Sequence, residues 1–204
     1  MAQLLTIHPQ NPQTRLIKQV VDVLNRGGVI AYPTDSGYAL GTVLGNKEGL
    51  ERIKTIRNLS KHHDFTLMMR DLSHIGEYAK LDNNAFRLLK KVLPGAYTFI
   101  LQGTQDVPKR LLHPKKKTIG LRISTHKVVQ AILEALDDPL MSVSLILEGV
   151  DFYDIDDVRD ALDKQVDVIV DDGYCPPEPT TVIDLSAGKV DIIRQGAGDT
   201  GFIK

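Results

Sequence analysis

Residues 29–41 read VIAYPTDSGYALG. Val29 to Tyr32 are apolar and predict a buried strand, which ends at Pro33 because proline has no backbone N–H to donate to a sheet. Residues 34–37 (TDSG) then predict a small polar turn, whose hydroxyl and backbone N–H groups can hold a phosphate or a carboxylate. The turn has neither the glycine spacing of a Walker loop nor that of a dinucleotide-binding loop, so a purely structural turn is the alternative.

Helices and strands alternate on both sides of this stretch. Apolar spacing and turn residues predict helices over residues 15–24, from a cap at Asn46 to Arg57, after Asp71 or Ser73, over 83–93, at Pro108, from a cap at Thr125 to Leu136, and over 157–162. Further strands are predicted over residues 65–69, 97–101, 118–123, 140–147, 166–170, 181–185 and 190–194. The last two strands form a hairpin, so the sheet is predicted to be mixed. No Gly/Ser- or Pro-rich segment divides the chain, and we expect one α/β domain over residues 1–204.

The composition is typical of a globular protein with one substantial core. The chain has 204 residues, 42 % hydrophobic and 25 % charged. No apolar run approaches the roughly 20 residues of a membrane span, and the N-terminus does not resemble a secretion signal. The single cysteine, Cys175, excludes an internal disulfide and a cysteine zinc cluster; an incidental loop cysteine is favoured over a catalytic thiol. We therefore expect a cytoplasmic protein without a membrane partner.

Charge is distributed unevenly along the chain. Residues 1–127 hold 20 Lys/Arg against 9 Asp/Glu, an excess of +11, whereas residues 128–204 hold 5 against 17, an excess of −12. This asymmetry predicts that an anionic partner meets the N-terminal part, although two solvated surfaces that balance each other are the alternative. The run Lys115, Lys116 and Lys117 is either such a surface or a contact to an RNA backbone.

Several polar side chains are candidates for an anion site. Arg57 shares a helical face with Leu50 and Ile53, so its guanidinium is predicted to border a cleft, unless it caps the end of its own helix. Hydroxyls and arginines near strand ends are predicted to converge on the same anion: Thr98, Arg122, Ser142, Ser144, Thr180, Thr181 and Arg194, with Thr34 in the turn described above. His62 and His63 lack a third ligand at a recognised spacing, so a phosphate contact is favoured over a metal site, and we expect no metal.

A series of short motifs resembles the YrdC/YciO family. Residues 32–41 resemble its YPTD-x-x-YGLG signature, and Arg57 matches the arginine of its K-x-R motif. The remaining blocks follow in family order: residues 94–98 resemble PGP-x-T, 120–123 VRVP, 141–149 STSANxSG, 180–184 STVVD and 194–197 LRxGA. Residues 36–40, 65–68 and 144–147 are similar to the YciO branch. The resemblance covers nearly the whole chain.

This resemblance implies a twisted mixed sheet with flanking helices and a concave, positively charged cleft. Active relatives make threonylcarbamoyl-AMP from threonine, bicarbonate and ATP with Mg²⁺, the first step of threonylcarbamoyladenosine formation in tRNA, and the family is associated with double-stranded RNA and tRNA. By resemblance, Arg57 and Ser144 are the catalytic candidates. The nucleotide-binding candidates are these two residues with Thr34, Thr98, Arg122, Ser142, Thr181 and Arg194, while Lys115, Lys116 and Lys117 are candidates for RNA.

The chain also departs from the family pattern. Thr55 stands at the lysine of K-x-R, Phe65 at a Lys or Asn, and Ile146 at the asparagine of SxN. Each missing charge-assisted hydrogen bond removes roughly 1.5–3 kcal/mol, so weak or altered synthase activity is expected unless Lys54 or Lys61 substitutes. Two hypotheses follow: a nucleotide-binding enzyme of threonylcarbamoyl chemistry, or a non-catalytic module for double-stranded RNA or tRNA. The sequence does not determine the oligomeric state.

Overall fold

A computed structural model describes residues 1–60, 63, 65–147, 152, 155–173, 175 and 178–203. The helices are α1 (Thr14–Asn25), α2 (Lys47–Arg57), α3 (Ile75–Tyr78), α4 (Asn83–Val92), α5 (Lys127–Leu136) and α6 (Ile155–Leu162). The strands are β1 (Gln3–Thr6), β2 (Ile30–Thr34), β3 (Gly37–Val43), β4 (Thr66–Met68), β5 (Ala79–Lys80), β6 (Tyr97–Gly103), β7 (Thr118–Arg122), β8 (Leu140–Ser144), β9 (Val168–Asp171), β10 (Thr181–Asp184) and β11 (Asp191–Arg194).

These strands form one mixed sheet. Its order is β1-β9-β2-β3-β8-β4-β7-β6-β10-β11, and β5 pairs with β6. The pairs β1–β9, β2–β9, β4–β7 and β6–β10 are parallel, and the others are antiparallel. The predicted α/β fold with a mixed sheet and flanking helices is confirmed.

The two faces of the sheet are covered differently. On one face, Phe99, Leu121 and Met141 share a buried cluster with apolar residues of α2, α3, α4 and α6. On the other face, α1 and α5 bury apolar side chains against Tyr32 and Met68. Side chains alternate between the two faces along each strand. Beyond these two helices, the second face carries mainly small and polar residues, with Ile100 and Val182 among them. An open floor therefore remains on the second face.

Several elements differ from the predictions around the quoted stretch. β2 does not end at Pro33 as predicted but continues to Thr34, with Pro33 paired to Tyr38. The polar turn is also shorter than predicted, because Gly37 already begins β3 and only two residues separate β2 from β3. The sequence did not predict β3, because glycine is unfavourable in strands and weakens the strand pattern. Gly41 is required in it, since a Cβ there would lie 2.7 Å from a Leu140 methyl carbon and 2.9 Å from the Tyr32 ring. β1 was also missed, because Leu5 is its single buried residue and gives no alternation.

Three local predictions are wrong. Pro108 opens a turn and not a helix. Thr125 does not cap α5: the N-cap is His126, without a side-chain cap bond, and Thr125 instead donates from its backbone N–H and its hydroxyl to Asp35 at 3.2 Å. α3 has its N-cap at His74, so neither Asp71 nor Ser73 caps it; the Asp71 carboxylate accepts from the Ser73 backbone N–H instead. At Thr125 and at Asp71, the polar group that could cap a helix makes a different hydrogen bond instead.

The basic and acidic parts of the chain do not form separate surfaces. β9, from the acidic part, lies between β1 and β2, and β8 lies between β3 and β4. Arg52 and Asp167 form an ion pair of 2.8 Å between the two parts. In the portion that the structure describes, no helix is both long and apolar enough to cross a membrane.

Candidate functional site

A cleft lies on the open part of the second face. Its cavity is about 380 Å³, within the size range of small-molecule sites. The lining residues are Arg57, Ser60, His63, Thr66, Thr98, Ile100, Gly120, Ser142, Val143, Ser144, Ile146, Thr180, Val182, Ile193 and Arg194. None of these described residues is an aspartate or a glutamate, so hydroxyls and cations dominate the polar lining.

Strand register explains why these side chains share one floor. Thr66 of β4 is paired with Ser142 of β8 and with Gly120 of β7. Thr98 of β6 is paired with Val182 of β10, which is paired with Arg194 of β11. Directly paired residues point to the same face of a sheet. At Gly120, a Cβ would lie 2.7 Å from the Thr66 hydroxyl oxygen, so glycine keeps the middle of the floor open.

Arg57 lies on one rim, at the last residue of α2. Its Nε–H donates to the Ser144 carbonyl at 2.6 Å, and a terminal N–H donates to the Ile146 carbonyl. Arg57 therefore does not cap its own helix, which ends in the left-handed residue Asn58 with φ of 47°. Burial lowers the pKa of the Arg57 guanidinium. Among the described residues, no carboxylate forms an ion pair with it.

Arg194 lies on the opposite rim. Its Nε–H and one terminal N–H donate to the Thr180 carbonyl at 3.1 and 2.9 Å, and the terminal nitrogen also lies 3.2 Å from the Thr180 hydroxyl. The hydroxyls of Thr180 and Thr98 are 3.0 Å apart. Burial, and then the positive charge of Arg122, lower the pKa of Arg194. Here too, the described part of the chain supplies no carboxylate partner within 4 Å.

Two serines of β8 complete the polar lining. Ser144 is exposed, and its carbonyl holds Arg57. The Ser142 hydroxyl is 2.6 Å from the Tyr32 hydroxyl. Burial raises the pKa of Tyr32 to about 12, although Ser142 and Arg122 act in the opposite direction. Tyr32 therefore stays protonated and fixes the Ser142 side chain, whereas the exposed Ser144 can meet a ligand.

Arg122 and Thr34 belong to a neighbouring buried network, and neither lines the cleft. A terminal N–H of Arg122 donates to the Thr34 hydroxyl at 3.1 Å, and the same nitrogen forms an ion pair with Asp35. Ser124 donates to Asp35 at 2.6 Å. Burial alone would raise the pKa of Asp35, but Arg122, Ser124 and Thr125 together lower it. The turn after β2 is thus tied to the end of β7.

The structure brings together five of the eight predicted nucleotide-binding residues. Those that line the cleft are Arg57, Thr98, Ser142, Ser144 and Arg194. Thr181 is buried; its hydroxyl donates to the Gly198 carbonyl at 2.7 Å and accepts from the Gly196 N–H at 2.9 Å. Sequence reasoning missed Thr66 as a site residue, although it is the one polar residue in the run FTLMM at 65–69.

The departures from the family pattern lie in different surroundings. The Thr55 hydroxyl donates to the Glu51 carbonyl, and Thr55 lines another cavity with Arg52 and Lys164. Phe65 is buried. Of the three departures, only Ile146 lines the cleft.

Of Lys54 and Lys61, the two candidate substitutes for the motif lysine, the structure describes Lys54. Lys54 forms an ion pair of 2.8 Å with Glu51, and its ammonium lies 5.9 Å from the centroid of the Phe65 ring. Lys61 lies outside the described residues, as does His62. The described part of the chain contains no group of three or more potential metal ligands.

The lysine run lies apart from the cleft, in an exposed turn before β7. Lys117 donates from its ammonium to the Pro114 carbonyl at 2.8 Å. Lys116 lines a separate cavity together with Asp184 and Asp191. Lys116 therefore shares its surroundings with acidic residues from the C-terminal part.

A family model for Sua5, YciO and YrdC proteins, described as telomere recombination, matches residues 22–196. The chain belongs to the Sua5/YciO/YrdC family. Its sequence is 52 % identical to YciO of Escherichia coli strain K12 over 201 residues, which cover 98 % of each chain. A threonylcarbamoyl-AMP synthase of Vibrio vulnificus strain YJ016 is 29 % identical over 158 residues, covering 76 % of this chain and 84 % of the relative.

Solved structures of the Sua5/YciO/YrdC family share the fold. The crystal structure of E. coli YciO has a TM-score of 0.95 and covers 98 % of both chains at 52 % identity. P. abyssi Sua5 complexed with L-threonine has a TM-score of 0.87 at 20 % identity and covers 95 % of this chain and 57 % of that one. At 20 % identity, the similarity to P. abyssi Sua5 shows a shared fold and nothing further.

Proposed function

We propose that the cleft binds an adenine nucleotide, ATP or AMP, and that the protein carries out threonylcarbamoyl chemistry weakly or on an altered substrate. One observation carries this proposal: the half-buried Arg57 and the exposed Arg194 line one hydroxyl-lined cavity, and no described carboxylate neutralises either of them. Two cations without a counter-ion in one cavity favour an anionic ligand, and for Arg57 the preference is stronger because a charge is costly to bury unpaired.

The hydrogen bonds of the arginines support a phosphate as the anion. Each guanidinium has five N–H donors, and carbonyl contacts to residues 144 and 146 or to Thr180 use part of them. These contacts fix each side chain and leave further donors for ligand oxygens, which is the preorganisation that phosphate recognition needs. A Mg²⁺ ion would enter with the phosphates of ATP, since no described lining residue is a carboxylate.

The relatives support the proposed reaction class. The similarity to the V. vulnificus threonylcarbamoyl-AMP synthase, and the Sua5 complex with L-threonine, support threonine as a co-substrate, and bicarbonate follows from the family resemblance. Ile146 lines the cleft where the resemblance places an asparagine, so one amide that could steady ATP is absent. A missing transition-state contact lowers rate more than affinity, and we therefore infer weak turnover.

Calorimetry with ATP tests the anion site. Arg57→Ala and Arg194→Ala are each expected to weaken ATP binding about tenfold to a hundredfold, because a charge-assisted hydrogen bond contributes roughly 1.5–3 kcal/mol. Arg52→Ala is the matched control, since Arg52 is half-exposed, pairs with Asp167 and lines another cavity. With threonine, bicarbonate and Mg²⁺, the unmodified protein should release pyrophosphate more slowly than the V. vulnificus synthase. Unchanged ATP affinity in both cleft variants would contradict the proposal.

A further inference from the structure

The polar cleft carries exposed apolar side chains on its rims. Ile146 is 54 % exposed and Ile193 is 55 % exposed. Apart from Met1, these are the two most exposed large hydrophobic side chains in the part of the chain that the structure describes, and both line this cleft. Scattered exposed apolar residues need no explanation, but two in one polar cleft indicate a ligand with an apolar part.

Each isoleucine lies beside one of the two arginines. The Ile146 carbonyl accepts from Arg57, and Ile193 directly precedes Arg194. Each rim therefore offers a fixed cation next to an apolar group. A molecule that joins a phosphate to an aromatic or aliphatic group matches this arrangement.

A bulge in the sheet accounts for the position of Ile193. Val182 is paired with Arg194 and Ile183 with Ile192, so Ile193 is the extra residue of β11 and has no partner in register. Bulges often redirect side chains next to functional sites. Here the bulge places Ile193 and Arg194, two consecutive residues, in the lining of the same cleft.

The described lining lacks the amide and carboxylate side chains that read a nucleobase. Asparagine and glutamine pair with adenine, and aspartate and glutamate accept from cytosine; arginine can pair with guanine, but both arginines of the cleft are assigned to the phosphates. No asparagine, glutamine, aspartate or glutamate is among the described residues that line the cleft, where Ile100 and Val182 extend the apolar surface between the hydroxyls. A base in this cleft would be contacted over its faces and not read at its edge.

We propose that Ile146 and Ile193 hold the nucleobase by apolar contact, so that the protein selects nucleoside phosphates for their phosphates and for the presence of a base, but not for its identity. This inference rests on the proposed function, because it places the base of the same nucleotide. The two isoleucines then determine whether the cleft prefers a nucleotide to a polyphosphate without a base.

Calorimetric titration with ATP, GTP, CTP, UTP and inorganic tripolyphosphate tests the inference. The four nucleotides are expected to bind within about threefold of one another, and tripolyphosphate at least about tenfold more weakly, since the base would bury the exposed parts of two isoleucine side chains and about 1.4 kcal/mol corresponds to tenfold. The double variant Ile146→Ala, Ile193→Ala removes the apolar contact without adding an amide, and it should lose about tenfold in ATP affinity and keep its tripolyphosphate affinity. Val190→Ala is the matched control, because Val190 is 45 % exposed but lines a different cavity.

Failure of this inference is distinguishable from failure of the proposed function. If tripolyphosphate binds as tightly as ATP, if one base is preferred more than about tenfold, or if the double variant loses both ligands equally, the base contact is wrong while the anion site stands. If neither ATP nor tripolyphosphate binds, the proposed function is wrong and this inference falls with it. Thermal melting of each variant verifies that a lost affinity does not come from unfolding.

Discussion

Among single residues, Arg57, Arg122 and Arg194 have different surroundings although all three belong to family motifs. Arg122 is 5 % exposed and is neutralised by Asp35. The described carboxylates leave Arg57 and Arg194 unpaired, and both are held by backbone carbonyls. Arg122 therefore stabilises the fold next to the cleft, whereas the other two are the arginines proposed to bind the nucleotide.

Asp35→Asn is expected to lower the free energy of unfolding by about 3–5 kcal/mol at neutral pH, because it leaves the buried Arg122 guanidinium without its counter-ion. Chemical denaturation followed by circular dichroism measures this loss. Asp137→Asn is the control: its partner Arg70 lies at 3.5 Å and its side chain is 87 % exposed, so a loss below about 1 kcal/mol is expected. Equal effects of the two substitutions would contradict the network.

The same substitution has a predictable pH dependence. The pKa of Asp35 lies below its ordinary value of 3.8 in the folded protein. Its carboxylate therefore stabilises the fold above that ordinary value, and this contribution is lost as the pH falls through the lower folded pKa. The difference in unfolding free energy between the unmodified protein and Asp35→Asn should narrow below about pH 4. A difference that stays constant down to about pH 2 would contradict this assignment.

Among the secondary-structure elements, α2 carries the clearest link between sequence and site. The predicted cap at Asn46 is confirmed: its side chain accepts from the Gly49 N–H at 3.1 Å and donates to the Gly27 carbonyl and the Thr42 hydroxyl, each at 2.8 Å. Asn46 thus fixes the start of the helix whose last residue is Arg57.

Asn46→Ala is expected to destabilise the protein by about 1–2 kcal/mol, because the helix loses its cap and its bonds to Gly27 and Thr42. At temperatures well below the melting transition, the ATP affinity of this variant should be unchanged, since Arg57 lies at the other end of α2. Thermal melting and calorimetry together measure both effects. Asn84→Ala, on the exposed surface of α4, is the control and should change neither. Lost affinity without lost stability would show that Asn46 acts on the ligand.

Helical geometry and burial also limit which of the three departures from the family pattern could be reversed by introducing the family residue. Thr55 and Arg57 are two residues apart, about 200° around the helix, and Thr55 accordingly lines a cavity away from the cleft. Phe65 is 4 % exposed, so a lysine there would bury a charge. Among the three departures, Ile146 is the position where the family residue would reach the cleft without a cost to the core.

Over the molecule as a whole, the basic N-terminal part and the acidic C-terminal part of the chain do not form two separate surfaces. Strands of the acidic part lie among strands of the basic part, and Lys116 shares a cavity with Asp184 and Asp191. RNA binding stays a prediction, and the exposed lysine turn is the surface proposed for it.

We predict that a gel-shift titration with tRNA detects binding at low salt that weakens strongly as salt rises, because binding to phosphates releases counter-ions. Replacing Lys115, Lys116 and Lys117 by Ala should weaken binding to all RNA sequences alike. It should also reduce the slope of log affinity against log salt by up to about 0.9 for each phosphate that these lysines neutralise. Lys164→Ala, an exposed lysine of the acidic part, is the control. Absence of binding at low salt would refute the RNA proposal.

Signals in the sequence were sufficient to predict part of the fold and several residues of the site. Apolar spacing located α1, α2, α4 and α5, Asn46 marked the start of α2, and the hairpin of β10 and β11 made the sheet mixed. The order of motifs was sufficient to identify the family. Helical spacing also put Arg57 at a cleft, since a residue in line with Leu50 and Ile53 must emerge beside the face that they bury.

Long-range packing, in contrast, sets which polar side chains share the cleft. Arg122 and Arg194 both end strands, and nothing local distinguishes them. Arg122 reaches Thr34 across the three strands that separate β7 from β2 in the sheet, so the curvature of the sheet gives Arg122 its partners. Curvature and strand order arise from packing between segments distant in the chain, and local periodicity does not encode those contacts.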